Sequence, residues 1–258
     1  MMAHPLLPKL RRLRLSGMAL TLDLRASQAR DRGLGPIEFL ALLLDDEIER
    51  RDQTRLSRRL AQSGCDGQKT LTHFDFSAAP GVNRSLIQEL GTCAFVARHE
   101  KIMLCGPTGV GKSHLANALG LEALKRDLRV FSRTTYRLLA DLHAARANGA
   151  HHRYLLRLLN VDLLILDDFG LQPLSSQAIQ DLYDIISERY EHGSILITSN
   201  RAFEEWPPLF NNDLLASAAL DRLTHHAHTF VIRGKSYRQI TRRKEALHAA
   251  LASSATTT

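Results

Sequence analysis

Gly106-Pro107-Thr108-Gly109-Val110-Gly111-Lys112-Ser113 is the stretch that decides the fold. The octapeptide fits G-x-x-x-x-G-K-S/T, with a strand-like run, Lys101 to Cys105, before it and a helical pattern from Lys112 to about Lys125 behind it. A phosphate-binding loop requires that context. Its three glycines let the backbone curl until successive N–H groups point inward at phosphate oxygens, a path that side chains would obstruct. Lys112 then supplies positive charge for the β- and γ-phosphates and Ser113 a hydroxyl for Mg²⁺. The helix that opens here aims the positive end of its dipole at the same anion. The expected nucleotide-binding residues are Gly106, Pro107, Thr108, Gly109, Val110, Gly111, Lys112, Ser113 and His114. The bland alternative is an ordinary glycine-rich strand-to-helix turn.

Working outward, Val161-Asp162-Leu163-Leu164-Ile165-Leu166-Asp167-Asp168 is an apolar run ending in two carboxylates, the pattern of a fully buried parallel strand. Open α/β sheets place ligands at that end of the strand. Asp167 is expected to hold Mg²⁺ and Asp168 to polarise the water that attacks the γ-phosphate. The same Asp pair has a second reading, as a cap on the following helix. A third run, Ser194-Ile195-Leu196-Ile197-Thr198-Ser199, ends in Asn200. In a sheet where this strand lies between the other two, Asn200 reaches the γ-phosphate or the attacking water. The competing reading is a turn asparagine without chemistry.

A chain of 258 residues, 44% of them hydrophobic, is long enough for one nucleotide-binding domain and a small appendage. Its 34 Lys and Arg outnumber 27 Asp and Glu, which favours a polyanionic partner without identifying one. Cys65, Cys93 and Cys105 show no C-x-x-C spacing, so buried thiols in a reducing compartment are expected, and no zinc site. His225, His226 and His228 lack the further ligands that would complete a metal geometry. No run reaches eighteen apolar residues, and Met1 to Arg14 lacks the apolar core of a secretory signal. A cytoplasmic protein without a membrane span is the expectation.

Residues 1–68 read as a helical domain, in which Gly35-Pro36 opens a strong helix from Ile37 to about Leu60. Phe39, Leu40, Leu43 and Leu44 form its apolar stripe, and its later half turns basic with Arg50, Arg51, Arg55, Arg58 and Arg59. Small, turn-forming residues at Ser63 to Gln68 mark the boundary. After a connector, strands near 101–105, 129–132, 161–167, 194–199 and 229–232 alternate with helical stretches, which calls for a five-stranded parallel sheet in a three-layer α/β sandwich. Residues 69–245 form this domain and 246–258 a flexible tail.

Gly106 to Ser113, Asp167-Asp168, Ile195 to Asn200, Leu220-Asp221-Arg222-Leu223 and Gly234-Lys235-Ser236-Tyr237-Arg238 together resemble the IstB branch of the AAA+ ATPases. Leu71-x-x-Phe74-Asp75-Phe76, Arg189-Tyr190-Glu191 and Phe203-x-x-Trp206 extend the likeness over nearly the whole chain. The resemblance implies an ATP-binding helper encoded beside the transposase of an insertion sequence, related to the DnaC helicase loaders. It implies an AAA+ domain with an absent or reduced C-terminal lid, and a homo-oligomer whose ATP sites are shared between subunits. By it, Arg222 is the arginine finger acting in trans and Arg238 the second sensor. A helix-end arginine paired with Asp221 is the plain alternative for Arg222. Asp168 departs from the family pattern, where a longer glutamate usually stands, so either the attacking water sits closer to the strand or turnover is slow, which suits a timer of assembly.

From Arg222 to Lys244 there are seven Lys or Arg and no acid, Arg242, Arg243 and Lys244 among them. Arg11, Arg12, Arg14, Arg50 and Arg51 form a second basic group. Either can neutralise DNA phosphates, and either can be an ordinary solvated face. Arg153 and Arg157 lie on the helix that, by the resemblance, faces DNA. No helix-turn-helix or zinc-finger pattern is present, so duplex contact without sequence readout is expected. The function read from all this is an ATP-dependent DNA-binding helper of a transposase. Its rivals are a helicase loader and a nucleotide-gated scaffold with negligible hydrolysis.

Overall fold

The computed structural model describes residues 5–210, 212–234 and 236–237, and the chain divides into two compact units, 1–59 and 60–258. Arg238, Arg242, Arg243, Lys244 and the expected tail at 246–258 lie outside the described residues.

The first unit is built from α1 (Leu7–Arg12), α2 (Ser16–Arg32) and α3 (Pro36–Ser63), whose last turn runs on into the second. Gly33 ends α2 in the left-handed region, φ 64°, where its own N–H and that of Leu34 reach back to the carbonyls of Arg30 and Ala29. Pro36 then starts α3, and Glu38 reaches back to accept the Gly35 N–H at 2.8 Å. Met18, Leu22 and Leu43 are the buried core, with Leu7, Leu10, Leu15 and Phe39 packed on it. A Cβ on Gly17 would lie 2.6 Å from the Asp46 carbonyl, so α2 and α3 touch backbone to backbone there. Buried Glu47 accepts the Gly17 N–H at 2.7 Å and Arg51 Nε at 2.7 Å. Burial pushes its pKa up, but Arg51 and the amides of Gly17 and Met18 outweigh that and hold it below the usual range. The expected apolar stripe on α3 is only half a core. Leu43 is buried, whereas Leu40 and Leu44 are 45% and 46% exposed, because α1 and α2 pack along the line of Phe39 and Leu43 alone.

The second unit holds a parallel sheet of β1 (Lys101–Cys105), β2 (Val130–Thr134), β3 (Leu163–Phe169), β4 (Ser194–Ser199) and β5 (Ala227–Val231), in the order β2-β3-β4-β1-β5. The helices after β1 to β4 are α6 (Lys112–Lys125), α7 (Thr135–Ala147), α8 (His151–Leu159), α9 (Ser176–Arg189) and α10 (Asp213–Thr224); α4 (Arg84–Leu90) and α5 (Ala94–Ala97) precede the sheet. Leu164 and Leu166 share a core with Leu138, Leu158, Ile185 and Leu223 from α7 to α10. Ile165 points to the other face, where a Cβ on Gly120 of α6 would come within 2.8 Å of it. That alternation makes the three layers. It also places β4 between β3 and β1, the arrangement on which the reading of Asn200 depended.

Arg189, 1% exposed, ties the opposite edge of the sheet together. Its guanidinium donates to the carbonyls of Leu158 (2.8 Å), Val161 (2.9 Å) and Ser194 (2.7 Å), closing the end of α8 and the starts of β3 and β4. Burial lowers its pKa to about 10, so it stays charged near neutrality.

Candidate nucleotide-binding site

The loop from Gly106 to Gly111 joins β1 to α6, and two of its glycines have no substitute. Gly106 adopts φ 144°, and a Cβ there would meet the Ile232 carbonyl oxygen at 2.1 Å. Gly111 adopts φ 99°, and a Cβ would strike the Phe74 ring at 2.6 Å. The chain after β5 runs along the loop, with Ile232 N–H on the Cys105 carbonyl (2.7 Å) and Tyr237 N–H on the Gly109 carbonyl (3.0 Å). Buried Lys112 donates to the carbonyls of Gly106 (2.7 Å) and Pro107 (2.8 Å) and to Asn200 Oδ1 (2.6 Å). Burial pushes the thiol of Cys105 up to about 11, which keeps it neutral beside the loop.

The ends of β3 and β4 meet this loop. Ser113 Oγ donates to Asp167 Oδ1 at 2.8 Å, and the Thr198 hydroxyl donates to the same oxygen. Thr135 Oγ1 donates to the Asp167 carbonyl at 3.1 Å. Asp168 has φ 55°, and its N–H donates to Thr198 Oγ1 at 3.0 Å. Ser199 Oγ bonds the Phe169 carbonyl (2.9 Å) and Arg201 Nε the Gly170 carbonyl (2.7 Å). The tripeptide Thr198-Ser199-Asn200 thus touches both carboxylate-bearing residues and the lysine.

A cavity of about 470 Å³ opens beside these groups, lined by Thr108 to His114, Asp168 and Asn200, and also by Phe74, Asp75, Ala78, Ala79 and Tyr237. Asn117 holds this lining through the Asp66 N–H (2.8 Å), and His114 through Thr70 O (2.8 Å) and an edge contact with Phe74 at 5.5 Å. The connector that sequence left without a role is therefore a wall of the cavity. The aromatic pair Phe74 and Phe76, standing before a phosphate loop in an otherwise polar stretch, was the available signal. Thr198 was also missed, though a hydroxyl two residues before Asn200 falls on the same face of the strand.

Arg222 is not brought to this cavity. It sits in the last turn of α10, donates to the Ala218 carbonyl (2.9 Å) and lies over the Tyr183 ring at 5.6 Å. Arg153 and Arg157 are exposed on α8, Arg157 also covering the Phe131 ring at 5.0 Å. Arg11, Arg12, Arg14 and Arg51 are exposed in the first unit and Arg50 is half-buried there. Arg51 is engaged with Glu47. Among the described residues, no helix is long and apolar enough to cross a membrane.

A family model described as IstB-like ATP binding protein matches residues 8–245. The chain belongs to that family. A Pseudomonas aeruginosa protein named for ATP binding in insertion sequence IS21 is 38% identical over 241 residues, 93% of this chain and 91% of its own length. A Mycobacterium tuberculosis protein, also named for ATP binding in an insertion sequence, is 40% identical over 233 residues, 89% of this chain and 92% of its own. Among solved structures, the DnaC helicase loader aligns with TM-score 0.53 at 24% identity, over 65% of this chain and 98% of that one. Replication initiator DnaA bound to AMPPCP and single-stranded DNA aligns with TM-score 0.57 at 21% identity, over 70% and 56%. At such identities the likeness concerns the fold alone.

Proposed function

We propose that this chain is an ATPase that assembles with ATP on duplex DNA, as a homo-oligomer with shared sites, and assists a partner transposase in target selection and strand transfer. Hydrolysis then drives release or remodelling of the assembly. The observation that carries the reading is the pairing of Lys112 with Asn200 and of Ser113 with Asp167 within hydrogen-bond distance, with Lys112, Ser113 and Asn200 lining one cavity. Lys112 and the loop amides bind the phosphates, and Asn200, already bonded to Lys112, orients the γ-phosphate or the attacking water. Asp168 lines the cavity and takes the water proton. The Ser113 hydroxyl and Asp167 carboxylate are hard oxygen donors 2.8 Å apart, a set that suits Mg²⁺. Bound there, Mg²⁺ would neutralise charge on the β- and γ-phosphates. Arg222 serves the site of a neighbouring copy, which accords with its place outside its own cavity.

Relatives from two genera, matched over nine-tenths of their length, carry insertion-sequence names, and this supports the transposition reading over the helicase loader. The DnaC likeness is one of fold. A cytoplasmic location follows from the same reading. Lys112→Ala should lose binding of a fluorescent ATP analogue and ATP-dependent co-sedimentation with duplex DNA together. ATP-dependent assembly at the unmodified level in that variant would sink the assignment.

A further inference from the structure

Asp168 departs from its strand. Leu166 of β3 pairs with Ile197 of β4, yet Phe169, three residues on, pairs with Ser199, two residues on. One residue is surplus on β3, and in that bulge Asp168 takes φ 55°, a region that side-chain-bearing residues seldom occupy. The Thr198 hydroxyl spans the bulge, accepting the Asp168 N–H at 3.0 Å and donating its single proton to Asp167 Oδ1. Thr198 is 0% exposed, so water does not compete for either bond. An aspartate has one torsion, χ1, between its backbone and its carboxylate carbon, so the backbone of the bulge largely decides where that carboxylate stands.

We propose that Thr198 is a positioning residue for ATP hydrolysis: its hydroxyl fixes the left-handed bulge that aims the Asp168 carboxylate at the attacking water. This rests on the reading of Asp168 as the base. In the step concerned, the water oxygen bonds to the γ-phosphorus while the bond from that phosphorus to the β,γ-bridging oxygen breaks. Asp168 takes the water proton, and ADP leaves with the electron pair of the broken bond. Nothing in the step needs Thr198 to touch the nucleotide.

Steady-state ATPase assays with duplex DNA, at saturating Mg²⁺, test it on the full chain. Thr198→Val keeps the shape and removes the hydroxyl. Its kcat should fall by about tenfold, a part of the roughly 10²-fold or more that a general base contributes, while KM for ATP stays within about twofold. Thr198→Ser, which keeps the hydroxyl, should return kcat to within about threefold of the unmodified protein, and Thr198→Ala should not. The Ser and Ala pair isolates the hydroxyl even where Val disturbs packing. An unchanged kcat in Thr198→Val and Thr198→Ala overturns the proposal. So does a kcat loss that Mg²⁺ above the level saturating for the unmodified protein repairs, because the hydroxyl would then serve Asp167. Asp168→Asn separates the two layers: if it turns over normally, the reading of Asp168 itself fails, whereas its inactivity beside an active Thr198→Val rejects only the role of Thr198.

Discussion

At the C-terminal edge of the sheet, Thr198 and Ser199 are wholly buried, and their hydroxyls bond Asp167 and the Phe169 carbonyl of the neighbouring strand. In residues 1–59, by contrast, three buried side chains form the core, and much of the cohesion between α2 and α3 is electrostatic: Glu47 on the start of α2, and Arg25 on Asp46 at 2.6 Å. Each part is therefore sensitive to a different change. Buried polar bonds are costly to break singly and indifferent to salt, whereas carboxylate contacts depend on pH.

The largest effect should come from Arg189. Arg189→Leu leaves the carbonyls of Leu158, Val161 and Ser194 without their donor, and breaking a buried charged network of this kind costs about 3–5 kcal/mol. Trp206, the single tryptophan and fully buried in the second unit, reports that loss by fluorescence during urea unfolding. A midpoint unchanged by the substitution would show that the sheet does not depend on its buried polar bonds. A smaller effect is expected at Glu47. Glu47→Ala removes the carboxylate that accepts the Gly17 and Met18 amides, worth about 1–2 kcal/mol, read as lost helicity that Trp206 does not report.

Acid should act on the first unit through its paired carboxylates. The Arg25 guanidinium holds Asp46 below its ordinary pKa, and Glu47 is also held low, by Arg51 and two amides, against the upward push of burial. Groups with lowered native pKa contribute stability that is fully present above the unfolded values, about 4, and is lost as pH falls through the folded ones. Helicity of residues 1–59 should therefore fall as pH drops below about 4, and helicity unchanged by that drop would contradict the role of Asp46 and Glu47.

The phosphate loop, the paired aspartates and the alternation of strands with helices were legible in sequence because each is a contiguous pattern. The place of β4 between β3 and β1 was stated only as a condition, which the strand order meets. What sequence did not disclose depends on distant pairs. Phe74 meets Gly111, Tyr237 meets Gly109, and Arg189 reaches back to Leu158; no local period brings these residues together. The left-handed Asp168 is a bulge, and a bulge is a property of two strands in register, invisible in either alone. The stripe on α3 misled for a related reason: periodicity marks the apolar face of a helix, but the neighbours decide how much of it is covered.

An ATP site completed by a second copy on DNA predicts that two inactive variants regain activity when mixed. Asp168→Asn retains Arg222 and the phosphate loop but lacks the base, and Arg222→Ala retains the loop and the base but lacks the arginine. Each alone should show little DNA-stimulated phosphate release, and an equimolar mixture should recover a substantial part of the unmodified rate. A mixture as inactive as its components, or full activity of Arg222→Ala alone, would contradict the shared site.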